Sequence, residues 1–468
     1  MNRGILCAII AIMKIKTFLA VAACKLSRFM LRKLGKGGTN VPGRVALAID
    51  PKLLGVLAKN VTTIIVTGTN GKTTTSRMSE KCLSDSGCKY FANKSGANML
   101  SGITAEFAMN STLGGKNKYE YALVECDEAA FKTVSKYVDA KCVVVTNVFR
   151  DQLDRYGEIT HTLNSILTGI KNSPNAVVCL NADDSLSVSM KDEISNKVVF
   201  YGVESEIYKN RVHEVSDAPY CIKCKSEYVY DYVTYGHLGG FRCPKCGYHR
   251  PKAEVTVEKV IESTADSSTI LLKFGGSEYT ATINLPGGYN IYNATATVAA
   301  GYVLGFKADV IINALNSFEC GFGRMEKFTV NETDIRMILI KNPAGCNQVL
   351  NFLSNLTRPA LFIVALNDRY ADGTDISWIW DVDFEKLNSI SDMLTGVWVT
   401  GRRADEMAMR FKYAGLPVEK IKVIKDYDRL IKEAVLQKNP VYMMPTYTAM
   451  LDIREKFSKD YGFKEFWE

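Results

Sequence analysis

Lys72 and Thr73 close a glycine-bearing turn, Thr67-Gly68-Thr69-Asn70-Gly71-Lys72-Thr73-Thr74, that follows the apolar run Ile64-Ile65-Val66. A turn of this composition holds a nucleotide triphosphate. Glycines let backbone N–H groups approach phosphate oxygens, a lysine reaches the β- and γ-phosphates, and a hydroxyl joins the shell of a Mg²⁺ ion. Gly68, Thr69, Asn70, Gly71, Lys72, Thr73 and Thr74 are therefore assigned to ATP. The pattern G-x-x-x-x-G-K-[ST] is not complete, because Val66 occupies its first glycine position. Glu125, at the end of the apolar run Tyr121-Ala122-Leu123-Val124, is the first choice to hold Mg²⁺ together with Thr73. Asp151 and Asp183 also follow apolar runs. Each taken singly reads as a helix cap or loop carboxylate; grouped behind a phosphate loop, they read as cation ligands.

A second chemistry is written in the cysteines. Cys221-Ile-Lys-Cys224 is followed, after 18 residues, by Cys243-Pro-Lys-Cys246. Two C-x₂-C pairs at this spacing supply four thiolates to a tetrahedral Zn²⁺, with no ligand position left open, so the metal is expected to be structural. Tyr228, Tyr230, Tyr232 and Tyr235 lie between the pairs, with only Lys225 and Arg242 as basic residues there. That segment is aromatic but hardly basic, so no nucleic-acid partner is expected. Farther on, Asn290 and Asn293 begin an Ala-rich helix after Pro286-Gly287-Gly288, where amides can read a purine or ribose or simply cap the helix. Arg324 lies in a loop where its guanidinium can contact phosphate or stay solvated. Asp368, Asp372 and Asp375 fill a polar loop after the apolar run Leu361–Leu366.

These residues need elements to hold them. Runs at 64–66, 121–124, 142–145 and 176–180 are β-branched and apolar throughout, alternate with helical stretches, and end in polar residues. That is the pattern of a parallel α/β sheet with its site along the carboxyl ends of the strands. Further runs at 335–340, 361–366 and 396–400 predict a second, smaller α/β unit. The first residues are different. Leu19, Ala22, Ala23, Leu26, Met30 and Leu34 fall at helical spacing, with Lys25, Arg28, Arg32 and Lys36 on another face. This predicts a basic amphipathic helix, packed either on its own domain or on an anionic membrane surface.

At 468 residues the chain exceeds one ordinary core. Its 58 Lys and Arg against 50 Asp and Glu give a net charge of +8, which suits an anionic partner without selecting one. The 13 cysteines are an odd number, and Cys82, Cys126, Cys142 and Cys179 stand singly in apolar contexts, as buried thiols of a reducing, cytoplasmic compartment do. The residues alone say that a nucleotide triphosphate is held, and leave open an ATP-dependent enzyme, a zinc-ribbon ATPase acting on nucleic acid, and a regulatory module that holds ATP without chemistry.

The phosphate loop, in which the missing first glycine is normal, resembles that of the Mur ligases and folylpolyglutamate synthases. Leu180-Asn181-Ala182-Asp183-Asp184, Asn290 with Asn293-Ala294, and Gly323-Arg324-Met325-Glu326 are similar to later motifs of the Mur ligase family. The resemblance covers about Val61 to Glu468. It implies a central P-loop ATPase domain over 46–327 carrying a zinc-ribbon insert at about 217–252, a C-terminal α/β domain over 328–468, and an N-terminal leader over 1–45 in place of the domain that grips a UDP-linked precursor. Four positions depart from the usual pattern: Gln152, Tyr289 and Lys341 replace histidines, and Leu167 falls near the position of a carbamylated lysine. With the zinc ribbon, Lys341-Asn342-Pro343-Ala344-Gly345 and Asp372-Gly373-Thr374-Asp375-Ile376-Ser377-Trp378, they are similar to a branch of the family that amidates a cell-wall precursor. That resemblance implies an ATP-dependent synthetase subunit that activates the α-carboxylate of D-glutamate in the lipid II stem peptide. Ammonia would come from a GatD-like glutaminase, whose catalytic His would be oriented by Asp375. Asn293 and Arg324 would serve the nucleotide, and the enzyme would work in the cytoplasm or at the inner face of the membrane. The alternative is a stand-alone amino-acid ligase of the folylpolyglutamate synthase kind.

Overall fold

The computed structural model describes residues 3–33, 40–93, 97–150, 159–207, 216–264, 267–319, 324–354, 356 and 358–463, with side chains from Met13 onward apart from Arg324 and Met325. Eleven strands precede residue 284 among the described residues: β1 (Thr62–Thr67), β2 (Tyr90–Ala92), β3 (Tyr121–Glu125), β4 (Ala140–Val145), β5 (Val177–Asn181), β6 (Val198–Val203), β7 (Val229–Tyr235), β8 (Leu238–Arg242), β9 (Val255–Ser263), β10 (Ser268–Phe274) and β11 (Ser277–Ile283). Nine of them form one sheet in the order β11-β10-β9-β6-β5-β4-β1-β3-β2. From β2 to β9 every pairing is parallel, as the continuous apolar runs predict. The far edge differs. β9, β10 and β11 pair antiparallel, and β10 turns into β11 through Gly275 and Gly276, whose φ angles of +61° and +84° suit a tight hairpin.

The sheet is buried on both faces. Ile64 and Val66 of β1 point into a core shared with Met78 and Leu123, whereas Ile65 points into the opposite one with Val124 and Val143. From β1 the chain runs to β2 at the edge, returns as β3 beside β1, and crosses to β4 on the other side of β1, so β1 marks the point where strand order reverses. In an open α/β sheet the crevice outside that strand's carboxyl end is where ligands bind.

A second sheet contains β12 (Arg324–Val330), β13 (Thr333–Ile338), β14 (Ala360–Ala365), β15 (Leu394–Thr400), β16 (Ile421–Val423) and β17 (Val441–Pro445) in the order β12-β13-β17-β14-β15-β16. All its pairs are parallel except β12 with β13. β7 and β8 form a separate two-stranded hairpin beside the first sheet.

The N-terminal helix α1 (Arg3–Lys33) runs over α2 (Asn40–Ile49), α3 (Leu53–Leu57) and α5 (Leu100–Met109). It buries a stripe of small residues, Thr17, Ala20, Val21 and Cys24, and is pinned by Arg28 to Glu106 (3.1 Å) and by Lys25 Nζ donating to the Ser111 carbonyl (2.5 Å). The apolar face expected from the sequence, Leu19, Ala22, Ala23, Leu26 and Met30, is not the face that packs inward. Leu19, Leu26 and Met30 are exposed, and Leu34 lies outside the described residues. Small side chains let helices approach closely, which the hydrophobicity pattern alone does not reveal.

Candidate active site and four-cysteine centre

The turn after β1 has the backbone that its glycines require. Gly68 and Gly71 have φ of +118° and +85°, in a region L-residues avoid. A Cβ on Gly68 would stand 2.4 Å from Thr146 Oγ1, and one on Gly71 2.1 Å from Asn293 Oδ1. The loop opens helix α4 (Lys72–Asp85), so N–H groups at a helix N-terminus line it. Lys72 Nζ folds back on its own loop. It donates to the Gly68 carbonyl (2.6 Å), the Thr69 carbonyl (3.2 Å) and Glu128 Oε1 (2.6 Å). Thr73 Oγ1 donates to Glu125 Oε1 at 3.0 Å, joining the two groups assigned to Mg²⁺. A hydroxyl and a carboxylate converging beside a phosphate loop are hard oxygen donors of the kind Mg²⁺ takes. The neighbours of the loop are amides. Asn147 Oδ1 accepts from the Asn70 N–H (2.9 Å) and its Nδ2 donates to the Asn70 carbonyl (3.1 Å).

The other assigned residues have distinct surroundings. Asn293 lies on the helix Gly288–Leu304 with its buried amide against Gly71, donating to Asn290 Oδ1 (3.0 Å); Asn290 in turn donates to the Pro286 carbonyl (2.8 Å) and anchors the turn. Arg324 begins β12 opposite Ile338; its side chain is outside the described set. Asp151, Gln152 and Gly323 lie outside the described residues. Leu167, on the helix Ile159–Lys171, packs against the core beneath β4 and β5.

Asp183 needs a correction. It is fully buried and bound on several sides: Arg250 Nε donates to Oδ1 (2.6 Å), and Tyr292 Oη (2.5 Å) and the Val203 N–H (2.9 Å) donate to Oδ2. A carboxylate so committed is a structural anchor and not a cation ligand. Asp184 is likewise an anchor, accepting from the Val148 N–H and Ser187 Oγ and meeting His237 Nε2 at 3.2 Å.

The second sheet contributes to the first site. Asn342 caps the helix Pro343–Leu353 through Oδ1, which accepts from the Gly345 N–H (2.8 Å), while its Nδ2 donates to Asn70 Oδ1 (3.0 Å). Arg150 Nη2 pairs with Asp381 Oδ2 at 2.6 Å, a second tie across the same boundary. In the polar loop after β14, Asp372 is locked by the Thr448 N–H (2.7 Å) and Oγ1 (2.5 Å), and Asp368 by Arg403 (2.7 Å). Asp375 differs from both. It is exposed, and the Ser377 N–H donating to its Oδ1 (2.8 Å) lowers its pKa and keeps it a ready acceptor.

The four cysteine sulfurs lie within 4.8 Å of one another. Cys221 and Cys246 Sγ are 3.6 Å apart, Cys224 and Cys243 3.4 Å, close to the edge of about 3.8 Å that tetrahedral Zn–S bonds would give. Each pair sits on a knuckle of the same form. Lys225 N–H donates to the Cys221 carbonyl (2.8 Å) and Gly247 N–H to the Cys243 carbonyl (3.1 Å), with φ of +62° and +73° at Lys225 and Gly247. The donor set fits a tetrahedral thiolate centre.

Glu128, Asn147 and Arg150 were not singled out by the sequence. Glu128 stands three residues after Glu125, at the start of α6 (Glu128–Val134), and nothing local marks it as the partner of Lys72. Asn147 and Arg150 follow β4 with nothing local to mark them.

Residues 66–231 match the Mur ligase middle domain family, and residues 339–450 match the MurT ligase C-terminal family. The chain is 37% identical over 446 residues to the lipid II isoglutaminyl synthase (glutamine-hydrolyzing) subunit MurT of Streptococcus pneumoniae, covering 95% of this chain and 97% of that protein. It is 34% identical over 444 residues to the protein of the same name from Staphylococcus aureus strain COL, covering 94% and 98%. Among solved structures, a pseudomurein peptide ligase type C from Methanothermus fervidus superposes with a TM-score of 0.63 at 23% identity, covering 86% of this chain and 79% of that one. MurF ligase from Thermotoga maritima in complex with ADP superposes at 0.61 and 15% identity, covering 89% and 84%; these two likenesses show the fold. With the phosphate loop at the switch point of a Mur-type sheet, the second sheet reaching that loop through Asn342, and relatives aligned along nearly the full length, the chain belongs to the MurT family of Mur ligases.

Proposed function

We propose that this chain is the synthetase subunit of a glutamine-dependent amidotransferase acting on lipid II. In this reading the α-carboxylate of the stem-peptide D-glutamate attacks the γ-phosphorus of ATP, giving an acyl phosphate and ADP. Ammonia then attacks the acyl carbon, phosphate leaves, and the nitrogen loses a proton to yield D-isoglutamine. Backbone N–H groups from Gly68 to Thr74 cradle the polyphosphate, and Lys72 moves from Glu128 to the β- and γ-oxygens. Thr73 and Glu125 hold Mg²⁺, which would offset charge developing on the transferred phosphoryl group. Asn293 supports the loop from beneath, and Arg324 is assigned to the nucleotide. The four cysteines hold a structural Zn²⁺. Ammonia is supplied by a GatD-like glutaminase docked on the C-terminal unit, where the exposed carboxylate of Asp375 orients the partner's His. The working division is a leader over 1–45, an ATP-binding unit over 46–327 with its ribbon, and a docking unit over 328–468, acting at the cytoplasmic face where a lipid-linked substrate is presented.

The observation that carries this reading is the convergence of Lys72, Thr73 and Glu125 on one phosphate loop that Asn342 of the second sheet closes, in a chain with full-length relatives named as such subunits. The test is co-expression with a GatD-like glutaminase and a mass-shift assay for lipid II amidation requiring ATP and glutamine. Asp375→Asn should lower the glutamine-dependent rate by roughly 10²-fold or more and spare the rate with free ammonia. A complex that binds ATP yet amidates with neither nitrogen source refutes the reading. Activity of the chain alone with a free amino acid favours the stand-alone ligase instead.

A further inference from the structure

α1 has two faces, and only one of them is used by the fold. The inward stripe of Thr17, Ala20, Val21 and Cys24 is buried. The opposite face is apolar as well. Ile15, Phe18, Leu19, Leu26, Phe29 and Met30 are 47–60% exposed, and at helical spacing they form one continuous strip, with Ala22 and Ala23 between them. Single exposed apolar residues are ordinary; a strip of six large ones on one helix is not.

Charge selects what covers it. Residues 1–49 contain nine Lys and Arg and no Asp or Glu, so this segment alone exceeds the whole-chain net charge of +8 and the remainder is near neutral. Arg28 and Lys25 are engaged inward, but Lys14, Lys16, Arg32 and Lys33 are exposed around and at the end of the apolar strip. Apolar side chains bordered by long basic ones match the boundary between acyl chains and anionic headgroups, where the stems lie along the apolar layer and the cations reach phosphate. A second copy of this face would meet like charge with like charge. No helix among the described residues is long and apolar enough to cross a membrane.

We propose that the outward face of α1 is a docking surface for an anionic lipid bilayer. Because α1 is welded to α2 and α5 by its other face and by the Arg28–Glu106 pair, the helix docks as a rigid part of the ATP-binding unit and fixes that unit's orientation to the membrane. This inference rests on α1 alone. Its experiment contains no nucleotide, glutamine or lipid-linked peptide, so its failure leaves the amidation reading standing.

The full chain is floated with phosphatidylcholine vesicles containing about 30 mol % phosphatidylglycerol and with pure phosphatidylcholine vesicles. The wild type should float with the anionic vesicles roughly tenfold better than with neutral ones, and less so at high salt. The variant Phe18→Ser/Leu26→Ser/Phe29→Ser should lose binding by roughly tenfold or more, and Lys14→Glu/Arg32→Glu should lose the preference for anionic lipid. All altered residues are exposed, and thermal unfolding checks that each variant stays folded. A wild type that stays with the soluble fraction overturns the proposal, as does a folded triple variant that binds undiminished. A wild type that self-associates through this face and ignores vesicles, with the triple variant monomeric, assigns the strip to a chain–chain interface and likewise overturns it.

Discussion

At the scale of single residues, the phosphate loop is controlled by two glycines that face different obstacles from other glycines in the chain. Gly71 combines a φ of +85° with Asn293 Oδ1 only 2.1 Å from where a Cβ would be, whereas Gly87, at φ +72°, has nothing within 4 Å. Both Gly→Ala changes pay the left-handed penalty of about 1 kcal/mol, but only Gly71→Ala must also displace the amide that supports the loop. Gly71→Ala is expected to weaken ATP binding by roughly tenfold or more, while Gly87→Ala leaves it within about twofold, measured by calorimetric titration of the two variants. Similar affinities for the two would show that the clash at Asn293 is relieved without moving the loop. Lys72 illustrates a different point. Its type and position were legible from the sequence, but its partner Glu128 was not, because a buried cation needs a counter-charge whose source the fold chooses.

At the scale of elements, the two-cysteine knuckles and their hairpin are fastened to the sheet by Arg250. Arg250 follows the second knuckle, pairs with the fully buried Asp183 at the end of β5, and also reaches Glu204 (3.1 Å). Tyr292, on the same helix as Asn293, shares Asp183, so ribbon, strand end and nucleotide-side helix meet on one carboxylate. His237 of the hairpin turn adds a contact to Asp184 and packs on Phe149 (ring centroids 4.4 Å). Replacing Arg250 by Leu would leave Asp183 buried without its cation, at a cost of about 3–5 kcal/mol. Urea unfolding of Arg250→Leu should show a loss of that size. A loss under about 1 kcal/mol would mean that Asp183 is satisfied by its neutral donors alone. The carboxylate read from the sequence as a cation ligand is thus an architectural joint. Strand-end position marks both roles equally, and only the arrival of Arg250 from 67 residues away separates them.

At the scale of the whole molecule, directional contacts tie the unit of the second sheet to the phosphate loop and its neighbourhood. Asn342 does two things at once: Oδ1 caps its own helix and Nδ2 reaches Asn70. Serine caps as well as asparagine but is too short to make the second bond. Asn342→Ser should therefore leave thermal stability and ATP affinity nearly unchanged while lowering kcat by roughly five- to tenfold, because one hydrogen bond of about 1 kcal/mol no longer favours the closed arrangement. A fall in ATP affinity with kcat intact would instead assign Asn342 to nucleotide binding.

The sequence by itself determined the elements whose chemistry is local. The β-branched runs are strands because such residues fit a buried pleat, the loop from Gly68 to Thr73 takes its left-handed turns because glycine permits that backbone, and the C-x₂-C spacing makes knuckles because four residues span one turn of backbone N–H groups. Tertiary structure decided everything that depends on partners distant in the chain. It added the antiparallel edge of the first sheet, turned Asp183 into a joint, brought Asn342 across 272 residues to Asn70, and locked Asp368 and Asp372 while leaving Asp375 exposed. It also chose which face of α1 to bury. Both faces carry apolar residues, and the fold took the stripe of small ones because small side chains let backbones pack closely, leaving the larger and more hydrophobic face turned outward.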